Sequence, residues 1–323
     1  MLKLNFSIYC RSPASCYSGC SQPIWSVALI IDAHIHGYPP EILADPSVWG
    51  RNQSELWWTQ AVAPTNRPSI QGWADLDRLI RDMDKAGIEK AVLLGWYWEQ
   101  QSSCDIQNRY YVDCIRQHPD RLTAFATVQP AAGANAIDQL QRSLDAGLSG
   151  IGEILPQVQR FRFEDEYWQK IIEIAIKRDL PVYMHVSDSV AVSPAVMPST
   201  HLRDYVTLAS EFPEAKFIFA HWGGGLPFFE LNKRVRTVLK NVWYDTAASP
   251  LLYINDVFRH VIDLVGVNRI LYGSDYPLLV YPRETREVGF TRFIEEVRGL
   301  DLLPDEKAAI LGGNAAKLFR FGR

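Results

Sequence analysis

The chain has 323 residues, 47% hydrophobic and 22% charged, with a formal net charge of −4. That balance is ordinary for a soluble globular protein, and without a basic stripe it excludes a general polyanion binder, so no nucleic-acid partner is expected. No apolar stretch reaches the roughly 18 residues of a membrane span, so no membrane partner is expected either.

Residues 1–26 carry no acidic side chain, two basic ones (Lys3 and Arg11) and many Ser and Cys. They lack a clean apolar core and a small-residue cleavage site, and so read as an extension outside the fold, with 27–323 as one domain. Three of the five cysteines, Cys10, Cys16 and Cys20, lie there, far from Cys104 and Cys114. An odd count without a CxxC pair suits reduced thiols, and a cytoplasmic location is expected.

Beyond the extension, short apolar runs alternate with helical patterns eight times. The runs predict strands at Val27–Ala33, Lys90–Gly95, Leu122–Val128, Gly150–Ile154, Pro181–His185, Lys216–Ala220, Val242–Tyr244 and Arg269–Gly273. Between them, Leu76, Leu79, Ile80 and Met83 recur at helical spacing ahead of Gly87, as do Trp168, Ile171, Ile172 and Ala175. Runs that are apolar on both faces suit strands covered on both sides, and the alternation implies parallel strands with crossover helices. An α/β fold closed as a (β/α)8 TIM barrel is predicted. The open doubly wound sheet is the alternative, but its Gly-rich loop after the first strand is missing, and His-Ile-His stands there instead.

Two stretches break the rhythm. Residues 37–71 form a long insertion after the first strand, with Trp49, Trp57 and Trp58 and prolines at 39, 40 and 46. Leaving from the rim, it reads as a lid or pocket wall, or else as a surface subdomain. Pro304–Phe319 reads as a closing helix with Leu311 and Leu318 facing inward.

The ends of the strands carry the chemistry. His34 and His36 share a face at i and i+2, His185 ends the fifth strand, His221 the sixth, and Asp275 follows the eighth. Parallel strands bring all five to one rim. Imidazoles with a carboxylate at one point form the ligand set of a divalent metal with room left for water. Glu153 ends the fourth strand and could bridge a second metal, orient substrate or support a histidine. Trp222 and Gly223–Gly225 follow His221, a turn that lets backbone approach a substrate. Trp96, Trp98, Gln129 and Asp245 read as pocket walls or hydrogen-bond donors, with Trp98, Trp222 and Gly223 as the expected substrate contacts.

The order of HxH on strand one, His on strands five and six and Asp on strand eight resembles the amidohydrolase superfamily. His-Trp-Gly-Gly-Gly, Gly-Ser-Asp-Tyr-Pro and the closing Ile-Leu-Gly-Gly-Asn-Ala are similar to its amidohydrolase-2 branch, which holds aminocarboxymuconate-semialdehyde-type decarboxylases, hydrolases and lactonases. The resemblance covers residues 28–320. It implies that His34, His36, His185 and Asp275 bind one divalent metal and that His221 is the base or proton shuttle. Gly-Glu-Ile at strand four also resembles TatD-like hydrolases, where such a Glu helps hold a second metal, and the carboxylated lysine of other branches has no counterpart. The number of ions is thus left open.

The expected function is a metal-dependent hydrolase activating water, with zinc as the expected ion and a small amide, ester or lactone as substrate. A bound ion lowers the pKa of its water to around 7. Asp275 would accept the water's proton and His221 would stabilise or protonate the oxyanion. The alternative is non-oxidative decarboxylation on the same site, with Arg51, Arg67, Arg160 or Arg162 gripping the substrate carboxylate. A non-catalytic metal scaffold is disfavoured by the complete ligand set, and a nuclease by the acidic balance. A homodimer is an open option.

Overall fold

Eight short strands run in chain order as β1 (Ile31–Ile35), β2 (Lys90–Leu93), β3 (Leu122–Ala124), β4 (Ile151–Ile154), β5 (Pro181–Met184), β6 (Lys216–Phe219), β7 (Val242–Asp245) and β8 (Ile270–Leu271). The computed structural model describes residues 29–188, 190, 201–279, 287–319 and 321. All pairings between successive strands are parallel, in the orders β1-β2-β3 and β4-β5-β6-β7-β8. Parallel bridges Ala126↔Ile151 and Ile35↔Tyr276 join the two groups, and Ala33 N donates to Tyr272 O at 2.8 Å. The sheet therefore closes on itself as the predicted TIM barrel, and closure leaves no edge.

Side-chain alternation builds two cores. Val92, Leu94, Ile218 and Ala220 fill the barrel interior with Ile31, Ala33, Phe125 and Leu271, while Ala91, Leu93, Phe217 and Phe219 face the helices. The helices form where the sequence supplies both stripe and caps. Leu76–Ala86 starts at Asp75, whose carboxylate accepts from Arg78 N, and stops at Gly87 in the left-handed region at φ 72°.

β1 breaks the alternation. Ile31 and Ala33 point inward, yet Ile35 packs in the outer shell, and the register with β2 shifts between Asp32 and Ile35. Such a bulge re-aims neighbouring side chains. It turns His34 and His36 toward the barrel mouth. A similar shift lies between Ile151 and Ile154, around Glu153.

Several boundaries differ from expectation, each for a local reason. β1 runs past Ala33 to Ile35 because Ile35 pairs with both Leu93 and Tyr276; residues 27 and 28 of the predicted strand, and the extension 1–26, lie outside the described residues. β3 stops at Ala124, and further on the Asn108 side chain takes both backbone groups of Thr127, each at 2.9 Å. The closing segment is a helix Pro304–Ala308, a π turn Ala309–Gly313 and a helix Asn314–Leu318. The wider turn lets Gly312 press on Leu29, where a Cβ would come within 2.1 Å of the Leu29 carbonyl oxygen.

The insertion folds as three short helices, Pro40–Ala44, Pro46–Asn52 and Leu56–Ala61, and two carboxylates fasten it to the loop after β2. Glu55 accepts from Glu99 N at 2.8 Å and Gln100 N at 3.0 Å, while Glu99 accepts from Trp57 N at 2.7 Å. Burial lifts the Glu55 pKa to about 7, outweighing its hydrogen bonds. Its folded value lies above the 4.5 of an ordinary glutamate, so its contribution is full below about pH 4.5 and is lost as pH rises through about 7. Glu55→Gln is therefore expected to flatten the fall in thermal midpoint between pH 5 and 8. A variant whose midpoint tracks the wild type at every pH would contradict this.

Candidate metal centre

Three imidazoles are held by the same nitrogen. His34 Nδ1 lies 2.7 Å from an Asp245 carboxylate oxygen, His36 Nδ1 lies 2.8 Å from Leu94 O, and His221 Nδ1 lies 3.1 Å from Ala247 O. These partners can only accept, so each Nδ1 carries a proton, and Nε2 is the nitrogen a ring must bare to bind a metal. The Nε2 atoms of His34 and His36 stand 3.3 Å apart. An Asp275 oxygen lies 3.2 Å from His36 Nε2 and 3.8 Å from His34 Nε2. Lone pairs and a carboxylate facing one another at such range repel unless a proton or a metal ion lies between them. The donor set suits a divalent ion of borderline softness.

Among the described residues, ligand atoms of His34, His36 and Asp275 lie within 4.8 Å of one another, and so do those of His34, Glu153 and His221. His34 belongs to both groups and His185 to neither. His185 faces the same centre one ring further out, 4.7 Å from the His221 ring, with Nδ1 2.9 Å from Glu153 Oε1 and Nε2 3.1 Å from Ser187 Oγ. Glu153 also comes within 3.9 Å of His34 Nε2 and 3.8 Å of His221 Nε2. Of its three sequence-based roles, support of a histidine is the one with a direct hydrogen bond.

The electrostatics fit a cation site. Burial opposes charge on His34, but Asp245, Glu153 and Asp275 outweigh it and lift its pKa to about 10. Burial would raise Glu153, yet His185 and His34 hold it down to about 2, and Asp275 is likewise driven well below the usual carboxylate range by His36 and His34. The centre thus gathers negative charge that draws in a proton or a metal ion. His221 differs: burial, reinforced by His185, lowers its pKa and favours the neutral base.

The backbone around it is tightly constrained. His221 and Trp222 adopt positive φ of 57° and 55°, Asp275 of 63°, and Gly223–Gly225 continue the left-handed run. A non-glycine residue there costs on the order of 1–3 kcal/mol, and such strain clusters at functional sites. Asp245, read from sequence as a wall or donor, is a fully buried acceptor beneath both His34 and His221.

Above the centre opens a cavity of about 300 Å³, lined by His36, His185, His221, Glu153 and Asp275, by Trp96 and Tyr97, and by the insertion's Val62, Arg67 and Gln71. The insertion is thus a pocket wall. A larger groove, about 970 Å³, lies at the opposite end of the barrel among Leu29, Leu122 and Ser149, away from every histidine of the site. The three expected substrate contacts lie elsewhere. Trp98 N bonds Trp96 O at 2.9 Å, a tight turn that sends Trp98 into an aromatic cluster, 4.9 Å from Trp58. Trp222 is buried against Phe258, its indole nitrogen donating to Ser249 at 2.9 Å. Gly223 packs on Tyr244, where a Cβ would come within 2.8 Å of the ring.

The family model described as Amidohydrolase matches residues 31–321. An L-fucono-1,5-lactonase from Burkholderia ambifaria is 24% identical over 185 residues, 53% of this chain and 61% of the relative. A 2-amino-3-carboxymuconate-6-semialdehyde decarboxylase from Dictyostelium discoideum is 23% identical over 261 residues, 69% of each chain. The chain thus spans about 61% and 69% of these curated relatives. A 5-carboxyvanillate decarboxylase from Novosphingobium aromaticivorans, solved with bound manganese, superposes with a TM-score of 0.70 at 17% identity, covering 90% of this chain and 97% of that one. No helix among the described residues is long and apolar enough to cross a membrane.

Proposed function

The chain belongs to the amidohydrolase family and is an enzyme of it, and from that premise we propose that it is a metal-dependent hydrolase acting on a small ester, lactone or amide. One observation carries this reading: the Nε2 atoms of His34 and His36 face each other at 3.3 Å, with an Asp275 oxygen 3.2 Å from His36 Nε2 and 3.8 Å from His34 Nε2. His34, His36 and Asp275 would hold the ion, joined by His185 or Glu153 if the centre contracts around it. We propose Zn²⁺, with Mn²⁺ as the ion to compare.

A divalent ion at this point would supply Lewis acidity and a ready source of hydroxide at neutral pH. The remaining work falls to the chain's own groups. Asp275 accepts the attacking water's proton. His221 lines the cavity, and with Nδ1 fixed on Ala247 O the ring can pass a proton to the leaving oxygen or nitrogen only through Nε2. The Trp96 and Tyr97 rings and the insertion narrow the cavity around a small substrate.

Decarboxylation remains the second reading, favoured by one feature. Arg67 is the one lysine or arginine among the described residues lining the cavity, whereas Arg160 pairs with Glu99 at 3.3 Å and Arg162 with Glu164 at 3.2 Å. A panel of lactones, esters, amides and aromatic carboxylic acids, assayed with Zn²⁺- and Mn²⁺-loaded protein, tests the two. Hydrolysis without CO₂ release supports the first reading, and CO₂ release from an acid overturns it for the second. Under either reading Arg67→Ala is expected to raise KM for an anionic substrate about 10-fold or more, the scale of one charge-assisted hydrogen bond. An unchanged KM would remove Arg67 from recognition.

A further inference from the structure

We propose that Asp245 is the positioning residue of this centre, one carboxylate that sets both the ring of His34 and the backbone of His221. This rests on the metal-centre reading above.

The side chain is fully buried, and each oxygen accepts two hydrogen bonds. One takes His34 Nδ1–H at 2.7 Å and the Tyr183 hydroxyl at 2.5 Å. The other takes His221 N–H at 2.7 Å and Ala247 N–H at 3.0 Å. All four acceptor directions of an ionised carboxylate are filled, and all its partners are donors. β1, β5 and the segments after β6 and β7 therefore meet on a single side chain at the end of β7.

Two consequences follow at the site. The bond to His34 Nδ1 fixes the tautomer that leaves Nε2 free toward His36 and Asp275. The bond to His221 N–H helps hold that residue at φ 57°, outside the region a histidine ordinarily prefers, and Ala247 closes the loop by accepting the His221 ring proton at 3.1 Å. A proposed metal ligand and the proposed acid–base group thus share one anchor.

Asp245→Asn keeps the shape and removes two acceptor directions. If the new amide faces His34, its N–H₂ demands an acceptor, and the imidazole must move its proton to Nε2, the wrong tautomer for a ligand. If it faces His221, it opposes two backbone donors. Tyr183→Phe reaches the same oxygen from its other side and leaves the charge in place.

The experiment measures Zn²⁺ and Mn²⁺ affinity by chelator competition for wild type, Asp245→Asn and Tyr183→Phe, with thermal unfolding as a check on folding and kcat and KM taken separately. Asp245→Asn is expected to bind metal about 10- to 100-fold more weakly, the range for a group that orients a ligand, and to lose kcat with KM little changed. Tyr183→Phe should weaken binding by less, in the same direction. Folded variants that both bind metal as tightly as wild type overturn the positioning role and leave the metal centre standing. If Asp245→Asn does not fold, Tyr183→Phe decides alone: weaker metal binding supports the role, and wild-type affinity overturns it. A wild type that binds neither ion overturns the metal reading itself, and the positioning role with it.

Discussion

His34→Ala is expected to lose the bound divalent ion and more than about 100-fold in turnover, beyond the cost of altering a group that merely orients a ligand. His34 is the residue common to both compact ligand groups, His34–His36–Asp275 and His34–Glu153–His221. It is fully buried, with Nδ1 already committed to Asp245. Removing the ring leaves Asp245 with an oxygen short of a donor and Asp275 without one of the groups that hold it ionised. Elemental analysis after dialysis gives the metal content, and refolding controls by circular dichroism show whether the barrel survives. A folded variant retaining a full equivalent of metal would show that the ion sits nearer Glu153 and His185, with His34 only in support.

His221→Ala is expected to keep the ion and lose about 10²- to 10⁴-fold in kcat, the range for a general acid–base group. His221 begins a left-handed run of backbone, its Nδ1 proton spent on Ala247 O, which leaves Nε2 as the atom that can exchange a proton with substrate. Burial and the nearby His185 hold its pKa below the usual imidazole value. The acid limb of kcat against pH should therefore lie below the ordinary histidine range, because the base stays neutral further into acid, and that limb should disappear in the variant. A metal-free variant would instead make His221 a ligand, through the group it forms with His34 and Glu153. Near-full activity would end the proton-shuttle assignment and turn attention to Asp275.

The barrel was legible because each strand is a short apolar run and each crossover carries its own stripe and stop signal, as at Leu76–Ala86 and Gly87. Histidines and an aspartate at the ends of those runs could converge only if the strands were parallel, so their convergence was legible with the fold. What escaped depends on directions that periodicity does not encode. Trp96 and Trp98 have the same parity, yet the tight turn between them places one on the cavity and the other in the aromatic cluster. Trp222 follows His221 directly, but the left-handed backbone swings it away from the cavity. Asp245 ends an unremarkable Val-Trp-Tyr-Asp run, and its importance arises only when donors from other elements arrive at its two oxygens. The β1 bulge was equally hidden, since i and i+2 share a face whether or not the register slips between them.

The aromatic cluster beside the centre carries its own consequence. Trp58 lies 4.9–6.5 Å from Trp98, Trp96, Trp73 and Trp49 and 5.0 Å from Tyr38, and Tyr38 in turn stacks on His36 at 6.4 Å. Rings packed this closely couple their electronic transitions, so the near-ultraviolet dichroism of the whole group responds to small reorientations of any member. The proposed ion would load onto His36, whose ring stacks over Tyr38 at the edge of that array. Titration with Zn²⁺ or Mn²⁺ is therefore expected to change the near-ultraviolet dichroism without any added dye.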